Sequence, residues 1–401
     1  MSKEVVVVTT NKDAASQCGI AVIDLDTGTS VTSNFKQCIA DVNCICYIGG
    51  PSSFSGSSSS SSCCGDYIAV AQSGKPVINV YQWNKPQVHY TCHVQEIMTC
   101  LCADACGTYL IGGSHKGWMS IWEVGSGALV ASFQAHSRRI NRVVVSNCNS
   151  YVISCSDEGV VKVYSLLDLL DGGESLHKLK SRSYAGRATA PKHYRSYNAH
   201  SLPATGLVVV GAFGTFRVYS CSTDKTVCMY DVHSGRIFHK MTFPHGLESI
   251  ALSSTCDSLF VGSTSGPIFS VDMGLIAIGL SAQHAQRAHI GSFQSSHSSG
   301  SSSDSSSRNL TSLASTTYSG HSRAVSALSV SLDNTLLVSA SLDGSLRVWD
   351  VLSRQCLKDL AVMNKLPLTS CDVKYRSVPH SLFTHSLFTH SLFTHLHVLQ
   401  T

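Results

Sequence analysis

Charge is sparse in this chain: Asp, Glu, Lys and Arg make up 13% of its 401 residues, and the formal excess is only +4. A chain so weakly charged is not, as a whole, built to hold a polyanion. Missing too is any apolar run near the ~20 residues of a membrane-spanning helix. Residues 1–11 lack the basic start and small-residue cleavage site of a secretory signal, so a soluble protein kept inside the cell and off the membrane is expected. Apolar stretches of helical length are absent as well, Leu166 to Leu170 being the one candidate and too short, which excludes helical and α/β folds.

Cysteine is plentiful, at 17 residues, but no pair of C-x-x-C motifs stands at finger spacing. Two sets offer metal-ligand chemistry, Cys100, Cys102 and Cys106 with His115, and Cys63-Cys64 with His89 and His93. Without the paired spacing the reading is packing, because a strand cysteine in a reducing compartment behaves as a small buried hydrophobe. No metal and no cofactor are expected.

What the chain does contain is a repeated unit, most complete from Tyr318 to Leu360. Gly320-His321 opens it. Ala324 to Val330 reads as a first strand and Thr335 to Ser341 as a second. Asp343-Gly344 turns into a third that ends at Trp349-Asp350, and a fourth follows Ser353 to Cys356. Asp-Gly suits a two-residue hairpin because it tolerates positive φ. The ends of the third strands fall at Ile23, Tyr81, Trp122, Tyr164, Tyr230, Val271 and Trp349, with bare spacings of 41, 42 and 41 residues. The longer spacings of 58, 66 and 78 each contain an insertion. Repeats of this period, four short strands each, predict a seven-bladed β-propeller.

One propeller over residues 1–375 follows, with blade cores near 1–36, 40–90, 96–134, 136–170, 199–244, 246–273 and 318–361. Insertions occupy 51–64, 171–197 and 274–317, two of them serine-rich and low in complexity. Residues 376–401 form a low-complexity tail in which His-Ser-Leu-Phe-Thr recurs. The first blade has no room for an innermost strand. Leu366 to Val373 is placed to return and supply it, closing a ring that would otherwise leave an open edge. The middle insertion carries Lys178, Lys180, Arg182, Arg187, Lys192 and Arg195 among tyrosines and histidines. A solvated connector is the plainer reading, and a contact to RNA phosphates and bases the sharper one.

From about Val5 to Leu360 the chain resembles the WD-repeat superfamily and, within it, the WD-repeat subunits of the rixosome, the Rix complex of yeast. The stretches that carry this are Ile121-Trp122-Glu123-Val124, Tyr197 to Pro203, Ser222 to Gly235, Gly262 to Asp272 and the whole last repeat. The resemblance implies an all-β scaffold without a catalytic site. Its partners would be a proline-, glutamate- and leucine-rich scaffold protein, an armadillo-like subunit, the midasin ATPase and the pre-60S particle. It would act in the nucleolus and nucleoplasm, in internal-spacer processing of pre-rRNA. The family's C-terminal helical segment for self-association has no counterpart in the repetitive tail.

It also implies that His321, Ser339 or Ser341, Asp343 and Trp349 form the buried tetrad of a WD repeat. A hydrolase triad is the rival reading of that Ser/His/Asp set, but it needs an exposed nucleophile beside an oxyanion hole, and no G-x-S-x-G turn is present. The rival function is an adaptor of another complex, such as a ubiquitin ligase. Such adaptors usually show Arg two residues after a blade's Trp-Asp, where this chain has Leu352 and His233.

Overall fold

The computed structural model describes residues 2–10, 18–25, 27–29, 35–36, 38–49, 67–83, 85, 87–171, 191–211, 216–274, 315–361 and 366–377. They form seven four-stranded antiparallel sheets arranged as a closed propeller. The first blade contains β1 (Ser2–Thr10), β2 (Cys18–Asp24) and β3 (Phe35–Lys36). The second is β4 (Ile45–Ile48), β5 (Tyr67–Ala71), β6 (Val77–Gln82) and β7 (Val88–His93). The third is β8 (Met98–Ala103), β9 (Tyr109–Ser114), β10 (Trp118–Glu123) and β11 (Leu129–Gln134). The fourth is β12 (Ile140–Val145), β13 (Tyr151–Ser156), β14 (Val160–Ser165), a six-residue helix α1 (Leu166–Asp171) and β15 (Arg195–Asn198). The fifth is β16 (Ala204–Val210), β17 (Arg217–Ser222), β18 (Thr226–Asp231) and β19 (Arg236–Thr242). The sixth is β20 (Leu247–Leu252), β21 (Ser258–Ser263), β22 (Ile268–Asp272) and β23 (Ser315–Tyr318). The seventh is β24 (Val325–Val330), β25 (Leu336–Ser341), β26 (Ser345–Asp350) and β27 (Cys356–Ala361).

β28 (Leu368–Ser377) then pairs with β1, Val5 opposite Lys374 and Val8 opposite Cys371, and so becomes the innermost strand of the first blade. The register explains the unbroken run Val5-Val6-Val7-Val8, each at most 1% exposed. Val6 and Val8 pack on Val338 and Val348 of the seventh blade, while Val5 and Val7 pack on the second. A sheet covered on both faces needs no alternation of apolar and polar residues. At the top of the seam the Thr9 hydroxyl meets those of Thr369 at 2.8 Å and Ser370 at 2.6 Å.

A second device joins the blades. In the third, fourth, fifth, sixth and seventh blades the pairing of first to second strand slips by one residue, skipping Thr99, Asn141, Thr205, Glu248 and Ser326 in turn. A bulged residue has no ladder partner and its side chain is re-aimed. Here it is aimed at the neighbouring blade. Thr99 donates to Ile140 O at 2.5 Å, Asn141 to Ala204 O at 2.9 Å, Thr205 to Leu247 O at 3.0 Å and Ser326 to Leu368 O at 2.6 Å. In the sixth blade Ser249, next to the bulged Glu248, donates to Val325 O at 2.7 Å. Thr369 reaches Ala40 O at 2.8 Å, and the Cys44 thiol reaches Met98 O at 3.9 Å, which completes a circuit of all seven blades.

Four expectations are corrected. The outer strands of the fourth and sixth blades, β15 and β23, lie beyond the insertions and not before them, so 195–197 and 315–317 belong to blades. The stretch at Leu166 forms helix α1, which packs on β14 of the fourth blade and β11 of the third. The Asp343-Gly344 turn has positive φ at Gly344 alone, closed by Gly344 N–H to Ser341 O at 3.1 Å, because a single left-handed residue suffices to re-enter the sheet. β28 also runs two residues into the span given to the tail.

Candidate functional site: the connector face

Each innermost strand begins on the face that carries the blade-to-blade connections and the turns between second and third strands. The three insertions lie between first and second or third and fourth strands, so their roots share the opposite face. Among the described residues, the connector face is therefore built from short, well-tied loops.

His321, 6% exposed, hangs from the connection into β24. Its Nδ1 lies 3.2 Å from Asp343 Oδ2 and 3.0 Å from Ser345 Oγ, and its Nε2 lies 2.7 Å from Ser339 Oγ. Trp349 Nε1 donates to the same Ser339 oxygen at 2.9 Å. One proton arrangement satisfies every group. The ionised Asp343 takes the Nδ1 proton, Nε2 accepts from the Ser339 hydroxyl, and that hydroxyl accepts the indole N–H. Burial alone would raise the Asp343 carboxyl, but hydrogen bonds from Ser345 and from Ser322 N–H outweigh it and hold the group at about 2. Burial likewise keeps the His321 imidazole below its ordinary value, against the pull of Asp343. Ser339 is wholly buried, so no substrate carbonyl reaches it. The arrangement can fasten a connection to a sheet.

The structure thus brings His321, Ser339, Asp343 and Trp349 together, and leaves Ser341 out. Ser341 Oγ turns the other way, donating to Arg323 O at 3.3 Å and accepting from Asp343 N–H at 3.2 Å. Ser345 takes a place that sequence reasoning missed. So does a whole second copy in the fifth blade, where His200 Nδ1 meets Asp224 Oδ2 at 3.2 Å and Nε2 meets Ser220 Oγ at 2.7 Å. Tyr230 O–H, 2.8 Å from Ser220 Oγ, stands in for the indole N–H. The fourth blade holds a partial copy. His136 Nε2 reaches Ser154 Oγ at 2.9 Å, but Glu158 stops 3.9 Å from Nδ1 and instead caps the N–H groups of Ser137 and Arg138. Burial, then the Lys162 ammonium, push His136 down to about 4. The Ala-His openings at 135–136 and 199–200 were the available signal.

Adjacent blades are in close contact here. A Cβ on Gly117 would meet His136 O at 2.1 Å and one on Gly159 would meet His200 O at 2.5 Å, so these left-handed turns must be glycine. Blade five has Lys225 at the same turn position, with φ of 68°.

Of the six basic residues proposed for RNA, Lys178, Lys180, Arg182 and Arg187 lie outside the described residues. Lys192 is exposed just before β15. Arg195 lies in β15 itself, so its place in a loop is corrected. Its guanidinium sits 5.0 Å from the Tyr194 ring and donates to Val232 O at 3.4 Å and His233 O at 3.2 Å, tying the fourth blade to the fifth. A cleft of about 530 Å³ opens beside it, between Tyr151, Tyr194 and helix α1. Of the cysteine and histidine sets, Cys100 is buried with its thiol toward Ile140 O, and Cys106 and His115 lie at opposite ends of β9. Cys63-Cys64 lie outside the described residues.

The family model described as WD domain, G-beta repeat matches residues 127–165 and 313–350. The pre-rRNA-processing protein IPI3 of Yarrowia lipolytica is 28% identical over 89% of this chain and 72% of its own length. WD repeat-containing protein 18 of Danio rerio is 30% identical over 73% of this chain, and the pre-rRNA-processing protein crb3/ipi3 of Schizosaccharomyces pombe is 26% identical over 74%. The chain spans 59% and 65% of those last two proteins, less than two thirds of each.

Proposed function

For this seven-bladed WD40-repeat propeller, homologous to the Ipi3/Crb3 and WD repeat-containing 18 proteins, we propose the role of a non-catalytic scaffold subunit in ribosome biogenesis. The observation that carries it is the match over 89% of the chain to a protein named for pre-rRNA processing. The propeller supplies the means, since a closed ring with two loop faces holds several partners at fixed spacing. Its activity would be to seat a proline-, glutamate- and leucine-rich scaffold and an armadillo-like subunit in a rixosome-type complex. That complex would bring the midasin ATPase to the pre-60S particle, in the nucleolus and nucleoplasm, during internal-spacer processing.

The basic insertion would add an rRNA contact through Lys178, Lys180, Arg182, Arg187 and Lys192. The exposure of Lys192 at its root supports that. Affinity purification of the tagged protein tests the reading. Recovery of ribosome-assembly factors is expected, and recovery of a cullin adaptor in their place would overturn it. Replacing Lys178, Lys180 and Arg182 by Ala should weaken co-sedimentation with pre-ribosomes and lessen its salt dependence; unchanged co-sedimentation would reduce the insertion to a connector.

A further inference from the structure

We propose that the connector face over the third to fifth blades docks an acidic protein segment bearing an apolar anchor. The first observation is a charge asymmetry. Acids on this face are turned inward: Asp41 accepts from Ser73, Glu96 from Ser114, Asp157 from Asn141 and Glu158 from Ser137, while Asp224 and Asp343 hold histidines. Glu248 is half-buried at a bulge in the sixth blade, away from this sector. Lys75, Arg138, Lys225 and Arg323 are exposed on the same face, and among the described residues none of them has an acidic partner. The opposite face exposes both signs, Asp168, Asp257, Asp272 and Asp333 together with Lys85, Lys192, Arg217, Arg236 and Arg354. Among the described residues, the exposed charges on the connector face that lack a partner of opposite sign are positive.

The second observation concerns which residues occupy repeated positions. Trp118, 37% exposed, opens β10 where the fifth and seventh blades have Thr226 and Ser345, the hydroxyls that touch the tetrad histidines. The third blade has Val94 where the fourth, fifth and seventh have histidine, so Trp118 serves no tetrad. Ile97, 40% exposed, lies across β9 from it on the same blade, its carbonyl accepting His115 N–H at 3.1 Å, and Leu202 is 50% exposed on the fifth blade. Lys225 takes the left-handed turn position that is glycine at Gly117, Gly159, Gly266 and Gly344. A strained lysine where glycine is free of strain, and an uncovered tryptophan, are costs that the ring itself does not require.

These residues form one surface. Gly117 packs under the Arg138 carbonyl and Gly159 under that of Leu202, so the sector runs unbroken from Trp118 through Arg138 to Leu202 and Lys225. Its unpaired exposed cations are separate, Arg138 entering the fourth blade and Lys225 in the fifth, while Lys116 of the third is held by Glu96 at 3.2 Å. That spacing suits separate carboxylates on a peptide better than the continuous phosphate run of a nucleic acid.

The proposal rests on the scaffold reading for a cellular partner, but its test uses purified full-length protein. The probe is a fluorescent peptide alternating Glu with Leu and Phe, compared with its all-Gln counterpart and with oligouridylate. Wild type should bind the Glu peptide and not the Gln one. Arg138→Glu should weaken binding about tenfold or more and flatten its salt dependence, while Trp118→Ala should weaken it comparably without changing the salt slope. Leu352→Ala on the opposite face should change nothing. Arg138→Glu, at an exposed side chain, keeps the test decisive if Trp118→Ala fails to fold. Equal binding by all variants, or tighter binding of oligouridylate lost with the same substitutions, overturns the proposal. A failed purification of assembly factors would sink the scaffold reading and leave the peptide result standing.

Discussion

Ser339→Ala in the seventh blade is the sharpest test of the tetrad. The substitution removes one oxygen and leaves two buried groups without partners, the Trp349 indole N–H, previously bonded at 2.9 Å, and His321 Nε2, previously 2.7 Å away. Each stranded group costs ~1–3 kcal/mol, so a total near 3 kcal/mol is expected, a large share of the ~5–15 kcal/mol that stabilises a domain. Ser341→Ala removes only two long, part-buried bonds, at 3.2 and 3.3 Å, and strands no side chain. Its cost should stay near ~1 kcal/mol. Urea unfolding gives the difference, and amide exchange in β25 and β26 gives a local measure should the blades not unfold as one. Trp349→Phe supplies an internal control. With the indole N–H already gone, Ser339→Ala should cost ~1 kcal/mol less than in the native background. Equal costs for Ser339→Ala and Ser341→Ala, or strict additivity with Trp349→Phe, would refute the proton arrangement.

Two further outcomes follow from groups described above. Burial holds His136, His200 and His321 below their ordinary pKa, His136 going from 6.5 to about 4. The unfolded chain then binds protons that the folded one refuses, so stability present above pH 6.5 should fall as pH drops toward 4. Asp343, held at about 2, acts in the same direction but is lost only nearer that value, and a urea midpoint flat from pH 7 to pH 4 would contradict the assignment. Lys225→Gly should stabilise the chain by ~0.5–1 kcal/mol by relieving a left-handed lysine, and a lower melting temperature would show that Lys225 is held by contacts within the ring.

The blade count was legible because the third-strand ends recur at a nearly fixed spacing, and the return of the chain after the seventh blade because the first lacked a strand. The outer strands β15 and β23 were not legible. Arg195–Asn198 and Ser315–Tyr318 are four residues each, polar, and cut off from their blades by insertions, so only pairing with β14 and β22 identifies them. The inter-blade circuit was hidden for a different reason. A single Thr99, Asn141 or Ser326 in an apolar strand reads as noise until the blades are superposed, when a polar residue just after the first of each strand becomes a pattern. At the tetrad, the opening histidine and the Asp-Gly turn were readable, but Ser339, Ser341 and Ser345 alternate along neighbouring strands, and one-residue differences in register decide which reaches the ring. Tyr230 in place of tryptophan masked the fifth-blade copy, although it offers the same donor.

The pairing of β28 with β1 sets the order in which the molecule can be finished. As the polypeptide leaves the ribosome, the second to seventh blades can each assemble from neighbouring chain. The first blade must wait for residues made some 360 positions after its own Thr9. Until then the row Val5 to Val8 has an open edge, so a translating ribosome carries an unlatched ring that invites chaperones or mispairing. Emergence of β28 is the event that latches it.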